Sequence, residues 1–202
     1  MRRLSRLTIL TAIAALGACA KPGDPAAAAS ATPTATAAAP AASATVMADL
    51  LTDVGEVEKK MVSLAKAIPA ASYGYRPAAG VRSVNDVVMH VASDNYFMPA
   101  SVGTAAPAST GIVAGNFDAV TAFEKRALSP DSAVAQLTAS FTFLKDAMKA
   151  QTAASLTEKK EMFGAEYTGQ QVWIMATTHL HEHLGQLIAY ARANNVTPPW
   201  SK

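Results

Sequence analysis

Two histidines near the end of the chain have the spacing of a metal-binding pair. Three of the four histidines fall within one five-residue stretch, as His179, His181 and His183. If this stretch is helical, His179 and His183 lie about 40° apart on one face, with Cβ atoms roughly 5–6 Å apart. Two imidazoles so placed can bind one metal ion with bonds of about 2.0–2.1 Å. Both fall on the predicted inward face of the helix, which comprises Val172, Ala176, His179, His183, Gln186 and Tyr190.

The other two histidines differ in what their positions predict. His181 lies about 160–200° from the pair, so we expect it at the surface and not as a ligand. His90 lies in the middle of an earlier helical segment, at the border of a face of valines, and can add a third imidazole. Three protein ligands leave positions open, as in catalytic zinc sites. The prediction is a divalent transition metal on His90, His179 and His183, which would produce hydroxide or thiolate near neutral pH and polarise a carbonyl.

The alternative is that these are core histidines hydrogen-bonded to their neighbours. Burying two neutral imidazoles requires two sets of partners, which favours the metal interpretation. The motif is not HExxH, because Glu182 directly precedes His183, so a metalloprotease helix is not predicted.

Three polar residues near the predicted ligands are candidates for supporting roles. Glu182 is either a base or hydrogen-bond acceptor beside the histidines, or a solvated surface acid. Gln186 is either a partner of a bound water or ligand, or a helix-packing amide. These two are the only candidates for catalysis. Asp94, one turn after His90, is placed to accept the other N–H of that ring.

The elements that must position these residues read as four long helices. The first runs from Met47 to Ile68, the second from Ser83 to Pro99, the third from Ser129 through Met148, and the last from about Gly169 to Ala193. A short helix is predicted at 116–128 and one extended segment at 161–167, but no sheet. The fold class is therefore all-α, a four-helix bundle over residues 46–202. The long connection 99–115 is a candidate crossover or lid, and 152–168 permits a topology other than up-down-up-down.

The first 45 residues are predicted to be an export signal followed by a flexible tether. Arg2, Arg3 and Arg6 precede an apolar run that ends in small residues, which predicts a signal peptide over residues 1–18. The stretch before Cys19 resembles the lipobox of bacterial lipoproteins, in which this cysteine would carry lipid; ordinary cleavage after Ala20 is the alternative. Residues 19–45, rich in Ala, Pro and Thr, predict a flexible tether. The expected location is the periplasmic side of a bacterial membrane, and Ala20 favours the outer membrane.

The charge balance argues against nucleic-acid binding. Three of the 17 Lys and Arg residues lie in the predicted signal peptide, so the remaining chain is close to neutral against 15 Asp and Glu residues. No basic stripe remains to contact phosphates. The expected membrane contact is therefore the lipid anchor, and the other expected partner is an unidentified small molecule.

Two stretches resemble the DinB-like (YfiT-like) metalloenzyme family. They are the second-helix segment SVNDVVMHVA at 83–92 and the last-helix segment HLHEHLGQ at 179–186, followed by Tyr190 and Arg192. The resemblance implies a four-helix bundle with a long crossover and a metal on His90, His179 and His183. Zinc or nickel is the expected metal, while iron, manganese and copper stay open. Homodimers are common in this family, so a homodimer is also expected.

The resemblance leaves the reaction open. Some members of the family transfer thiol cofactors such as bacillithiol, mycothiol or glutathione, which is cytosolic chemistry, whereas this chain carries an export signal. We therefore expect an exported metal-dependent hydrolase or transferase. The alternatives are a lipoprotein that binds or sequesters metal without turnover, and a structural helical module without metal.

Overall fold

The computed structural model describes residues 39–201, with side chains from residue 45 onward. The predicted signal peptide, Cys19 and the tether as far as residue 38 lie outside the described residues. The four long helices are α1 (Ala39–Ala67), α2 (Val84–Ser101), α4 (Pro130–Lys149) and α6 (Gly169–Ala193), and the shorter ones are α3 (Phe117–Glu124) and α5 (Ala153–Thr157). Strands β1 (Lys159–Met162) and β2 (Ala165–Thr168) precede α6, and 3-10 turns lie at Ala70–Ser72, Ala108–Thr110 and Pro199–Ser201. The prediction of an all-α four-helix bundle is confirmed.

The long helices do not follow one another around the bundle. Helix α4 packs against α1 and α2, and α6 packs against the same two helices. The order around the bundle is therefore α1, α4, α2, α6, so that the consecutive helices α1 and α2 are diagonal, as are α4 and α6. The links 68–83 and 150–168 cross the bundle. The loop at 99–115, predicted as a candidate crossover, instead lies between the neighbouring helices α2 and α4.

Polar caps fix where the helices begin. The Ser83 hydroxyl accepts a hydrogen bond from the backbone N–H of Asp86, whose carboxylate accepts from the N–H of Ser83, as the sequence predicts for a capping box. Ser129 caps α4, with Pro130 in the first turn. Thr168 caps α6 through another capping box, with Gln171. The caps thus fix the first residue of each of these helices.

Several boundaries differ from the sequence predictions. Helix α1 begins at Ala39, so residues 39–45 of the predicted tether are helical. Alanine favours the helix, and Pro40 lies in the first turn, where its missing N–H is not needed. Helix α2 continues past Pro99 to Ser101, because a proline in the last turn removes only one hydrogen bond. Helix α3 ends at Glu124 instead of 128, because Ser129 already adopts the extended conformation that caps α4.

Residues 159–168 form a β-hairpin, which corrects the prediction of one extended segment and no sheet. Strands β1 and β2 pair antiparallel, with Met162 opposite Ala165. The two turn residues, Phe163 and Gly164, have φ angles of 54° and 77°. Both are left-handed, as in a type I′ turn, for which Asn-Gly is the favoured pair. A phenylalanine in this conformation costs about 1–2 kcal/mol relative to an ordinary one.

The interior of the bundle is mostly apolar, and a buried hydrogen bond joins α2 to α4. The largest fully buried side chains on the four long helices include Val54, Val57, Met61, Leu64, Val84, Met89, Leu137, Phe141, Leu144, Trp173 and Leu187. Asn95 on α2 donates to the hydroxyl of Ser140 on α4 over 3.0 Å, and both side chains are buried. Among the helices of the described residues, none is both long and apolar enough to cross a membrane.

Candidate metal centre

Three imidazoles from two helices meet at one point of the bundle. His90 comes from α2, and His179 and His183 come from successive turns of α6. The Nε2 atom of His179 lies 3.2 Å from Nε2 of His90 and 3.1 Å from Nε2 of His183. A tetrahedral metal with bonds of about 2.0–2.1 Å holds its nitrogen ligands about 3.3–3.4 Å apart. The spacing of these Nε2 atoms is therefore close to that of ligands around one ion.

The outer nitrogen of each ring faces an oxygen atom. Nδ1 of His90 lies 2.6 Å from Oε1 of Glu124, and Nδ1 of His183 lies 2.8 Å from Oε1 of Gln186. Nδ1 of His179 lies at the longer distance of 3.5 Å from Oε2 of Glu182. A proton on Nδ1 that is donated outward leaves the lone pair of Nε2 facing the shared point, which is how histidine ligands are oriented in metal sites.

The protonation of the pair on α6 agrees with a site for a cation. Burial, helped by the charges of the other two histidines and opposed by the hydrogen bond to Gln186, lowers the pKa of His183 to about 4, so this ring is neutral. The hydrogen bond to Asp94 raises the pKa of His179 above its usual value, and this outweighs the opposing effect of burial. Lone pairs that face one another at about 3 Å repel unless a proton or metal ion lies among them, so the donor set fits a metal.

Asp94 faces the same point as the histidines. Its Oδ2 atom lies 2.8 Å from Nε2 of His179 and 3.3 Å from Nε2 of His90, and its side chain is only 14% exposed. The prediction that Asp94 accepts the outer N–H of His90 is therefore wrong, because the carboxylate lies on the Nε2 side of the ring. It is instead in position to be a fourth ligand or to accept a proton from a bound molecule.

Glu124, at the end of α3, is the partner of His90 that the sequence analysis missed. It also accepts a hydrogen bond from the Ser93 hydroxyl over 3.1 Å, and it lies 3.7 Å from Arg82. Burial raises the pKa of Glu124, but the hydrogen bond and charge of His90 more than compensate, so that the pKa is lowered and the group is ionised. No local pattern marks this residue, because it is 34 positions from His90.

The remaining predicted candidates lie outside the point where the Nε2 atoms meet. Gln186 accepts from His183 and donates to the hydroxyl of Tyr190 over 2.9 Å, so it holds the His183 ring in place. The side chain of Glu182 is 74% exposed. His181 lies at the surface, where its Nε2 is 2.7 Å from Oδ2 of Asp53 on α1.

A cavity of about 360 Å³ opens beside the histidines. His90, His179, Asp94 and Glu124 line one part of it, with Arg82 and Thr121 nearby. The rest of the wall is apolar and comprises Phe97, Met98, Phe117, Val120, Phe163 and Met175. A small molecule in this cavity can therefore reach the imidazoles of His90 and His179.

Comparisons with known proteins give a family and several similar folds. Residues 53–187 match the family model described as the DinB superfamily. A DinB-like protein of Bacillus cereus has a TM-score of 0.62 at 16% identity, covering 75% of this chain and 95% of its own. A DinB-like protein of Bacillus subtilis has a TM-score of 0.56 at 18% identity, with coverages of 74% and 93%. YfiT from Bacillus subtilis, described as a probable metal-dependent hydrolase with an unusual four-helix bundle topology, has a TM-score of 0.58 at 14% identity, with coverages of 75% and 89%. None of the curated proteins searched matches the chain.

Proposed function

This chain belongs to the DinB superfamily, and from that premise we propose that it is a metal-dependent enzyme, a hydrolase or a transferase, whose metal is held by His90, His179 and His183. The observation that carries the proposal is the meeting of three Nε2 atoms at 3.1–3.2 Å, with the outer nitrogens of His90 and His183 already hydrogen-bonded to oxygen atoms. Zinc or nickel is the proposed metal, because both accept imidazole ligands.

Each residue around the histidines has a distinct task in this proposal. A bound divalent metal supplies a Lewis acid that polarises a carbonyl and makes water or a thiol acidic. Glu124 and Gln186 hold the rings of His90 and His183 in the orientation that presents Nε2. Asp94, whose Oδ2 faces the same point, accepts the proton that a water or thiol nucleophile loses.

Hydrolysis and group transfer share these requirements, and the fold supports both. The description of YfiT as a probable metal-dependent hydrolase favours hydrolysis, although the 14% identity establishes the likeness of fold alone. We also propose that the protein is exported and attached to a bacterial outer membrane through a lipid on Cys19. This part rests on the charged, apolar and small-residue sequence of residues 1–19.

Metal analysis tests the site directly. We expect the purified protein, reconstituted with zinc or nickel, to hold close to one equivalent of metal. Alanine in place of His90, His179 or His183 removes a ligand and is expected to abolish binding. The matched control is His181→Ala, which removes a surface imidazole of the same helix and is expected to keep the full metal content. Less than about 0.1 equivalents in the unaltered protein contradicts the proposal.

Turnover is tested separately with the loaded protein. A panel of esters, lactones and electrophilic thiol acceptors covers the hydrolase and transferase alternatives. We expect at least one class to be converted, and Asp94→Asn to slow that conversion while the protein still folds. Full metal occupancy without conversion of any class favours instead a lipoprotein that sequesters metal.

A further inference from the structure

We propose that the substrate of the metal centre carries a phenyl group or a similar flat apolar group, bound against an aromatic wall formed by Phe97, Phe117 and Phe163. This inference rests on the proposed function and specifies its substrate class. The reacting group of the substrate would lie at the histidines, and its ring would lie against the aromatic wall, which lines the same cavity.

The aromatic wall joins three separate elements of the fold. Phe97 is on α2, Phe117 begins α3 and Phe163 is at the tip of the hairpin. The ring centroids of Phe97 and Phe117 are 5.2 Å apart, those of Phe97 and Phe163 are 6.1 Å apart, and those of Phe117 and Phe163 are 5.7 Å apart. These are the spacings of interacting aromatic side chains, so the wall is a continuous surface of ring carbons.

Two of the three rings are turned toward solvent and not into the core. Phe97 is buried, whereas Phe117 is 47% exposed and Phe163 is 54% exposed. Both exposed rings line the cavity that contains His90 and His179. Exposed aromatic carbon beside a polar reactive centre is the composition of a ligand pocket, in which an apolar wall binds the body of a ligand and a few polar groups orient it.

The backbone conformation of Phe163 is a second, independent reason to infer that a ligand ring binds at the aromatic wall. This residue has a φ of 54° in the hairpin turn, a conformation that asparagine or glycine adopts more easily. A phenylalanine there does not improve the turn, and within the fold its ring contacts only the edge of the core, through Phe97 and Phe117, while more than half of its surface stays exposed. Backbone strain that the local structure does not require is a feature of ligand-binding positions. Contact with a ligand ring accounts for the residue.

The distribution of charged and apolar side chains in the cavity indicates how the substrate would be oriented. Asp94, Glu124 and Arg82 lie at the histidine end, whereas Met98, Val120 and Met175 continue the apolar wall. A phenyl ring would lose hydration at the wall and leave the charged end free for a carbonyl or another polar group. The volume of about 360 Å³ suits a ligand of one ring with a short polar arm.

Two hydroxamates that differ only in their apolar part test this arrangement. Acetohydroxamate and benzohydroxamate bind a metal through the same oxygen atoms, but only the second carries a phenyl ring. For the zinc-loaded protein we expect benzohydroxamate to bind about tenfold more tightly, the gain expected from burying part of a phenyl ring. Phe163→Asn is expected to reduce this preference to about threefold or less, with unchanged zinc content and an unchanged or higher melting temperature.

The control variant is Val113→Asn, which replaces another exposed apolar residue that does not line this cavity. It is expected to keep the full preference for the phenyl ring. Equal affinity for the two hydroxamates, or a preference that survives Phe163→Asn, overturns the inference while the zinc content shows that the proposed metal site stands.

A probe without a metal-binding group separates the two proposals further. If the protein takes up no metal, the proposed function fails, and the aromatic wall is tested in the metal-free protein with 4-fluorobenzyl alcohol. Broadening of its fluorine NMR signal that is lost in Phe163→Asn supports the wall as a ring-binding surface, and absence of broadening overturns it. Conversion of a dimer into a monomer by Phe163→Asn in sedimentation also overturns it, because the wall is then an interface between two copies.

Discussion

Each imidazole of the candidate centre uses its two nitrogens for different tasks. Nε2 faces the shared point, and Nδ1 faces an oxygen that holds the ring. These oxygens are not equivalent, since Glu124 is ionised, mostly buried and 2.6 Å from His90, whereas Glu182 is mostly exposed and 3.5 Å from His179. The shortest contact that orients His90 is therefore the one with Glu124, beside a longer contact of 3.2 Å between its Nδ1 and Nη2 of Arg82, and the orientation of His179 depends much less on its outer partner.

Substitution of Glu124 and of Glu182 tests this difference between His90 and His179. Glu124→Ala is expected to weaken metal binding by about 10–100-fold, because the ring of His90 loses the group that fixes its orientation and tautomer. Glu182→Ala on α6 is the matched control and is expected to change the affinity by less than about threefold, since solvent already screens that carboxylate. Competition with a chelator of known affinity measures both. Equal effects of the two substitutions would contradict this assignment.

The convergence of the histidines was predictable from the sequence to the extent that it depends on spacing within one helix. His179 and His183 are four residues apart, and a helical interpretation alone places them on one face. Glu124 could not be predicted, because its contact with His90 depends on where α3 packs against α2. Asp94 was associated with the correct histidine but with the wrong nitrogen, since spacing gives the neighbouring turn and not the rotation of the ring.

His179 and His183 of α6 lie between two glycines in opposite environments. A Cβ atom at Gly169, in the first turn, would lie 2.3 Å from the backbone oxygen of Ser155, so that α5 and α6 can approach only without a side chain. A Cβ atom at Gly185, beside the ligands, would have no heavy atom within 4 Å. The first glycine is required by packing and the second is not.

Alanine at these two positions is expected to have opposite effects. Gly169→Ala would cost about 1–3 kcal/mol of unfolding free energy, because the backbone of α5 must move. Gly185→Ala would add about 0.5–1 kcal/mol through the lower entropy of the unfolded chain and leave metal content unchanged. Urea unfolding measures both changes. A stabilising Gly169→Ala would show that the close approach of α5 and α6 is wrong.

Tyr73, in the link that crosses from α1 to α2, is expected to make stability depend on pH at the alkaline end. Its hydroxyl donates to the carbonyl of Ala65 over 2.7 Å, and burial, with the charge of Asp131, raises its pKa to about 12. The folded protein holds this proton more tightly than the unfolded chain, whose tyrosine has a pKa of about 10. The contribution is therefore complete below pH 10 and is lost as the pH rises toward 12.

The comparison with Tyr73→Phe isolates this contribution from other groups that titrate at high pH. Between pH 10 and 12 the unaltered protein is expected to lose up to about 2 kcal/mol more unfolding free energy than the variant. At pH 7 the variant is expected to be less stable by about 1 kcal/mol, because one buried hydrogen bond is missing. If the unfolding free energies of the two proteins fall equally between pH 10 and 12, the Tyr73 hydroxyl is exposed to water and the prediction is contradicted.

The starts of α2 and α4 were predictable and the hairpin was not, for a physical reason. Ser83 with Asp86, and Ser129 with Pro130, are local signals that act within one turn. The strands are only four residues long, too short for alternation to be visible, and the turn carries Phe163-Gly164 where a typical sequence has Asn-Gly. The residue that obscured the hairpin is the one that the aromatic wall requires.

At the scale of the whole molecule, the connectivity of the bundle decides which helices meet. The order α1, α4, α2, α6 places α2 beside α6, and so brings His90 to the other two histidines. The sequence predicted four helices and a crossing connection in the second half of the chain. It did not predict that the first link also crosses the bundle, because helix lengths and faces are compatible with several orders of packing.

Attachment to a membrane is tested on the full chain. Expressed in a bacterial host, the protein is expected in the membrane fraction, with a mature N-terminus at Cys19 that carries lipid. Cys19→Ala is expected to lose the lipid and leave the membrane fraction, with the metal content of the domain unchanged. Mass spectrometry of the N-terminal peptide distinguishes this outcome from ordinary cleavage after Ala20, for which the first residue is Lys21.

The two helices that supply the imidazoles are far apart in the chain, since 89 positions separate His90 from His179. A cation bound by both helices would cross-link two distant segments of the chain. Any partial unfolding that separates α2 from α6 would first have to release the cation. The free energy of such openings would rise with the concentration of free metal. A low concentration of free metal would then make the domain more susceptible to proteolysis and would also abolish its activity.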